Sequence, residues 1–228
     1  MLYSLQILRG LAAWLVVFHH YMQLFYNFET DSMIGMILHS RGSFGVDIFF
    51  ILSGFVMFLA SQNKTALTFF IKRILRVIPA YWFYTTLLIV FSFVFVDEFA
   101  FTKYSNMSLL KSYFLIPSIN PSGIGIIPFL TVGWTLIFEV VFYTILAISI
   151  LLSKKYSIII CFLLVGFLPF IFPEGNVYSH VLGEYKIYQF LVGLAVGAYF
   201  KSMLYNRVNI LISPVKQSIL LLLISFLL

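Results

Sequence analysis

The sequence predicts an all-α protein: a polytopic bundle of transmembrane helices with about six complete spans and a seventh cut off by the C-terminus. Four observations predict it. Of 228 residues, 62% are hydrophobic and only 10% charged, with a mean hydropathy of +1.04, whereas soluble domains carry about 25% charged residues. Apolar runs of around 20 residues, the length a helix needs to cross a bilayer, recur along the chain. Nothing alternates on the roughly ten-residue scale of an outer-membrane barrel. Lastly, the basic residues sort by connection.

Span one runs from about Leu5 to Phe25. It begins without a basic leader and is followed by no small-residue cleavage site, so it reads as a retained helix. A polar connection, Asn27 to Ser43, carries Glu29, Asp31, His39 and Arg41. Span two is Phe44 to Ala60. Lys64, Lys72, Arg73 and Arg76 come next, and Pro79 then opens span three, Ala80 to Val96, since proline suits a helix's first turn. The basic cluster thus sits at an interfacial helix start. A long connection, Asp97 to Thr131, precedes span four, Val132 to Leu152, which Lys154 and Lys155 close. Span five, Ser157 to Phe172, stops at Pro173, Glu174 and Gly175. Span six, Tyr185 to Phe200, carries Gly193 and Gly197 four apart, a helix-packing device. A seventh apolar run, Ile219 to Leu228, reaches the last residue. No internal repeat is visible.

The Lys/Arg bias of the connections gives the orientation. With the N-terminus cytoplasmic, the inner side holds Arg9, Lys64, Lys72, Arg73, Arg76, Lys154, Lys155, Lys201, Arg207 and Lys216, ten of the fourteen basic residues. The outer side holds Arg41, Lys103, Lys111 and Lys186, and no acidic residue falls in an inner connection. The net charge of +6 therefore follows topology and does not mark a nucleic-acid partner. The single Cys161 excludes an internal disulfide.

Three polar constellations lie where packing alone does not need them. Arg9 and His20, in ILRGLAAWLVVFHHY (Ile7 to Tyr21), are eleven residues apart, about three turns, so they share one helix face about 16 Å apart. His19 points about 100° away from His20. With Arg9 at one interface, His20 lies near the midplane, where an ionisable group is costly and marks function; the plainer alternative is a topological anchor and a histidine bonded to a neighbouring helix. Arg73 and Arg76, three apart in Lys72-Arg73-x-x-Arg76, face one way and can clamp phosphate oxygens bidentately, although basic residues at a cytoplasmic helix end also serve topology or lipid headgroups. Glu139, in GWTLIFEVVFY, lies about 10 Å below the outer interface, at a depth similar to that of His20. A buried carboxylate needs a partner; the imidazole is one candidate, and Tyr143 or Trp134 the packing alternative. Asp47, near the outer end of span two, is an ordinary interfacial acid.

These residues resemble a family. ILRGLAAWLVVFHHY with Arg9-x10-His20, GSFGVDIFFILSGFVM (Gly42 to Met57), FFIKRILRVIPAYW and TVGWTLIFEVVFY stand in the order of the first spans of the acyltransferase-3 family of integral-membrane O-acyltransferases. YQFLVGLAVGAY (Tyr188 to Tyr199) resembles a later block. The match is nearest to enzymes that O-acetylate exopolysaccharide, lipopolysaccharide O-antigen or Nod-factor sugars. It implies a single membrane domain over residues 1–228, in the inner (cytoplasmic) membrane of a bacterium. It also implies that His20 is the catalytic histidine, that Arg9 helps position the donor, and that Arg73 and Arg76 bind the phosphates of acetyl-CoA. Glu139 would then hold His20 in a reactive tautomer. Family members are longer, so the chain reads as truncated at its C-terminus, with its activity in this short form an open expectation.

The function expected is transfer of an acetyl group from cytoplasmic acyl-CoA to a hydroxyl of a saccharide or lipid-linked saccharide, with His20 as general base. No metal-ligand spacing, G-x-S-x-G elbow or P-loop is present. The rival is transport, a lipid-linked saccharide carrier or proton-coupled permease relaying protons through Glu139 and His20; such carriers often show half-repeats, which are missing here. An inactive fragment is the third reading.

Overall fold

An apolar chain facing lipid must satisfy its backbone polar groups internally, and a helix does so within one segment. A computed structural model describes residues 3–26, 35, 44–94, 105–121, 123, 125–172, 175 and 177–201. The expected seventh span, and Glu29, Asp31, His39 and Arg41 of the first connection, lie outside them. Among the described residues the regular structure is helical, without a strand: α1 (Tyr3–Tyr26), α2 (Phe44–Ser61), α3 (Ala66–Val94), α4 (Asn106–Tyr113), a 3-10 turn (Thr131–Gly133), α5 (Trp134–Leu152), α6 (Ser157–Ile171), α7 (Ser179–Leu182) and α8 (Lys186–Tyr199).

Three stretches are long and apolar enough to cross a membrane: Phe44–Ser61, Ala66–Val94 and Thr131–Leu152. Among the described residues, three of the six expected spans meet this measure. Helix α1 has the length, 24 residues, but Arg9, His19 and His20 lower its hydropathy. Spans five and six correspond to α6 and α8. Large apolar side chains stand outward, Phe170 at 84% and Leu151 at 76% exposure. Such a surface is a liability in water and ordinary against acyl chains.

One expectation is corrected. Pro79 does not open span three; it lies inside the 29-residue α3, which starts at Ala66. Proline removes the bond to the Leu75 carbonyl, yet the helix continues on both sides, as membrane helices allow. At about 43 Å, α3 exceeds the hydrocarbon thickness of about 30 Å. Lys72, Arg73 and Arg76 all lie in its first eleven residues. The connection after α3 contains α4, whose N-cap Ser105 accepts a hydrogen bond from the Ser108 amide.

The chain forms two compact units, residues 1–59 with 188–228, and residues 60–187. In the first, Leu5, Leu8 and Ala12 of α1 pack with Ile48, Ile51, Leu52 and Phe55 of α2, and Val196 of α8 lies against this cluster. Helices α2 and α8 touch through their backbones. A Cβ on Gly54 would strike the Phe190 carbonyl, and one on Gly193 the Ile51 carbonyl. Phe50 and Phe190 stack beside this crossing with centroids 4.7 Å apart. The small-residue spacing of span six thus finds its partner in Gly54.

In the second unit α5 packs against both α3 and α6. Polar bonds tie the last turn of α4 to α3, and Phe129 of the following connection to α4. Tyr81 Oη donates to the Ser112 carbonyl at 2.7 Å, and Ser112 Oγ accepts from the Phe129 amide at 2.9 Å. Trp82 Nε1 donates to the Tyr113 carbonyl at 2.9 Å.

Gly54→Leu or Gly193→Leu should separate α2 from α8 and destabilise the protein by roughly 1–3 kcal/mol or more, the size of an overpacked core. Gly10→Ala, with nothing within 4 Å of the added Cβ, should not. Thermal unfolding of the detergent-purified variants checks both; equal melting of Gly193→Leu and wild type would refute the crossing.

Candidate functional site

Helix α1 is unbroken from Tyr3 to Tyr26, so the eleven-residue interval keeps Arg9 and His20 on one face. Leu5, Leu8, Ala12 and Met22 are its buried stripe. By angular position at 100° per residue, His19 falls in the middle of that stripe, and Arg9 and His20 lie about a quarter turn to one side. All three are half-buried. The two imidazoles meet edge-on, centroids 5.8 Å apart. Both Arg9 and His20 belong to the first unit.

Arg73, Arg76 and Glu139 belong to the second. Arg73 is half-buried, with its Nε atom buried, while Lys72 and Arg76 are exposed. On α5, the buried Tyr143 donates its phenol proton to Glu139 Oε2 at 2.7 Å. This is the (i, i+4) spacing that stacks two side chains on one helix face. Helix α3 packs against α5, so the basic pair and the carboxylate–phenol pair form a cluster on neighbouring helices, with the guanidiniums acting on the Tyr143 hydroxyl through their charge. Of the partners weighed for Glu139, Tyr143 is one that the second unit supplies. Chemically, the cluster offers two planar forks for anionic oxygens beside a carboxylate held in place by a neutral donor.

A further pair was not singled out from the sequence. Gln189 Nε2 of α8 donates to Asp47 Oδ1 of α2 at 2.9 Å. Gln189 is 4% exposed, and its Oε1 is buried with no hydrogen-bond partner among the described residues. The signal was there in principle, a lone amide in the apolar run of span six. Asp47, taken for an ordinary interfacial acid, is therefore tied into the first unit's interior.

Fold and site together define a helical membrane protein with guanidiniums, an imidazole pair and carboxylates built into apolar helices. The family model described as "Acyltransferase domain" matches residues 2–228, and the chain belongs to this acyltransferase family. Among curated proteins, it is 33% identical over 119 residues to the exopolysaccharide production protein ExoZ of Rhizobium meliloti (strain 1021). That stretch is 51% of this chain and 37% of ExoZ, so the chain spans little more than a third of the relative's length. No solved structure matches it significantly.

Replacing Tyr143 by Phe removes the phenol donor and should destabilise the protein by about 1–3 kcal/mol, the range for a buried acceptor left underpaired. Glu139→Gln keeps an acceptor opposite the phenol and should cost less. Melting temperatures in one detergent test the order of the two effects.

Proposed function

We propose that the protein is an O-acyltransferase of the bacterial inner membrane, N-terminus cytoplasmic, that moves an acetyl group from acyl-CoA to a saccharide hydroxyl. Family membership supports the reaction class, and the relative's part in exopolysaccharide production supports a saccharide acceptor. The observation that carries the residue assignment is the unbroken α1, which keeps Arg9 and His20 on one face. His20 acts as general base: its imidazole takes the proton of the acceptor hydroxyl as that oxygen attacks the thioester carbonyl. The acyl–sulfur bond breaks, the ester forms, and coenzyme A leaves as the thiol. An imidazole suits the task because its ordinary pKa lies near neutrality.

Arg73 and Arg76 hold the phosphates of the donor. Their planar forks match phosphate oxygens in a way that lysine does not, and they stand at the end of α3 that the basic-residue bias assigns to the cytoplasm, where acyl-CoA is found. Arg9 helps to position the donor. Glu139, its Oε2 fixed by Tyr143, is the carboxylate that supports the reacting groups.

With protein purified in detergent or lipid, His20→Ala should bind acetyl-CoA as wild type does and lose roughly 10²–10⁴-fold in transfer, the usual contribution of a general base. The Arg73→Ala/Arg76→Ala double variant should lose donor binding. Undiminished transfer by His20→Ala would overturn the assignment of the base, and undiminished acetyl-CoA binding by the double variant that of the phosphate clamp.

A further inference from the structure

A cavity of about 390 Å³ opens within the second unit at the N-terminal end of α5. Its volume falls within the range of small-molecule sites, roughly 300–1,000 Å³. Trp134, Ile137 and Phe138 of α5 make an apolar wall, and His180, Glu184 and Lys186 bring polar groups to the same space. None of the residues assigned to the donor or to the transfer step lines it. We propose that this cavity is a saccharide site, and, resting on the acyltransferase reading above, that it receives the acceptor.

The lining chemistry selects the ligand class. A pyranose has an apolar face of C–H groups and a rim of hydroxyls, each both donor and acceptor. The indole of Trp134 supplies a broad flat surface, and it is braced. Phe138 meets it edge-on at 5.9 Å between centroids, and Lys186 Nζ lies 5.8 Å from its centroid, within cation–π range. The polar groups differ in kind: an ionised Glu184 only accepts, Lys186 only donates, and His180 can do either. That mixture fits hydroxyls. A phosphate-bearing ligand calls for uniformly basic lining, which Glu184 breaks, whereas the donor-binding cluster has Arg73 and Arg76. Glu184 and Lys186 are half-buried and His180 is exposed, so the polar groups sit at the mouth while the apolar wall forms the depth. On the orientation given by the basic residues, this is the outer end of α5, the side on which an exported polysaccharide is met.

Saturation-transfer NMR on the purified protein, with methyl β-glucopyranoside and cellotetraose as probes, tests the site without requiring turnover. Wild type should bind at least one of the two. Trp134→Ala should weaken that binding about tenfold, on the scale of one aromatic contact. Trp134→Phe, which keeps a stacking ring, should recover most of it, and Glu184→Gln should weaken it with the fold intact by melting. Acetyl-CoA binding should be unchanged in all three. No binding by wild type, binding indifferent to Trp134→Ala and Glu184→Gln, or displacement by inorganic pyrophosphate would overturn the saccharide site. The two proposals fail separately. Sugar binding through Trp134 without acetyl transfer would sink the acyltransferase reading and leave the cavity a saccharide site. Acetyl transfer unaffected by Trp134→Ala would do the reverse.

Discussion

A carboxylate placed on an apolar helix has to be given a donor, and this protein meets that demand twice with a neutral one. Glu139 takes the phenol proton of Tyr143, and Asp47 takes an amide proton of Gln189. A neutral donor fixes one carboxylate oxygen without itself bringing a second charge that must be desolvated. The second bond joins α2 to α8, while the first lies within α5 and fixes the carboxylate on its own helix.

Close packing does the remaining work of assembly. Lipid tails are as apolar as leucine, so contact between helices must come from fit and from polar bonds. The first unit uses glycine for fit: Gly54 and Gly193 let two backbones meet where a methyl group has no room. The second unit uses polar bonds, with Tyr81 and Trp82 tying the last turn of α4 to α3. The connection after α4, bonded back to it through the Ser112 hydroxyl and the Phe129 amide, then leads into the 3-10 turn and α5.

The charge distribution follows the same economy. Arg73 and Arg76 lie in the first eleven residues of a helix longer than the bilayer is thick, Arg73 half-buried with its Nε covered and Arg76 exposed. His20 and Arg9 stand to one side of the buried stripe of α1. In each case the ionisable group is at the margin of the packing, half-buried or exposed.

The sequence by itself determined the helical class, the membrane setting, the family and the common face of Arg9 and His20, because helix formation and the 3.6-residue period are local. The same locality made the Glu139–Tyr143 pair legible as one of several options, four residues apart on one helix. What only the tertiary structure decided involves choices between distant partners. Gln189 meets Asp47 across 142 residues of chain, Gly193 meets the Ile51 carbonyl, and Trp134 is brought beside Lys186. Helix α3 begins at Ala66 and runs through Pro79, although a proline viewed in isolation marks a start. Periodicity says which face of a helix is apolar; it does not say which other helix that face will meet, since that depends on shape complementarity between segments far apart in the chain.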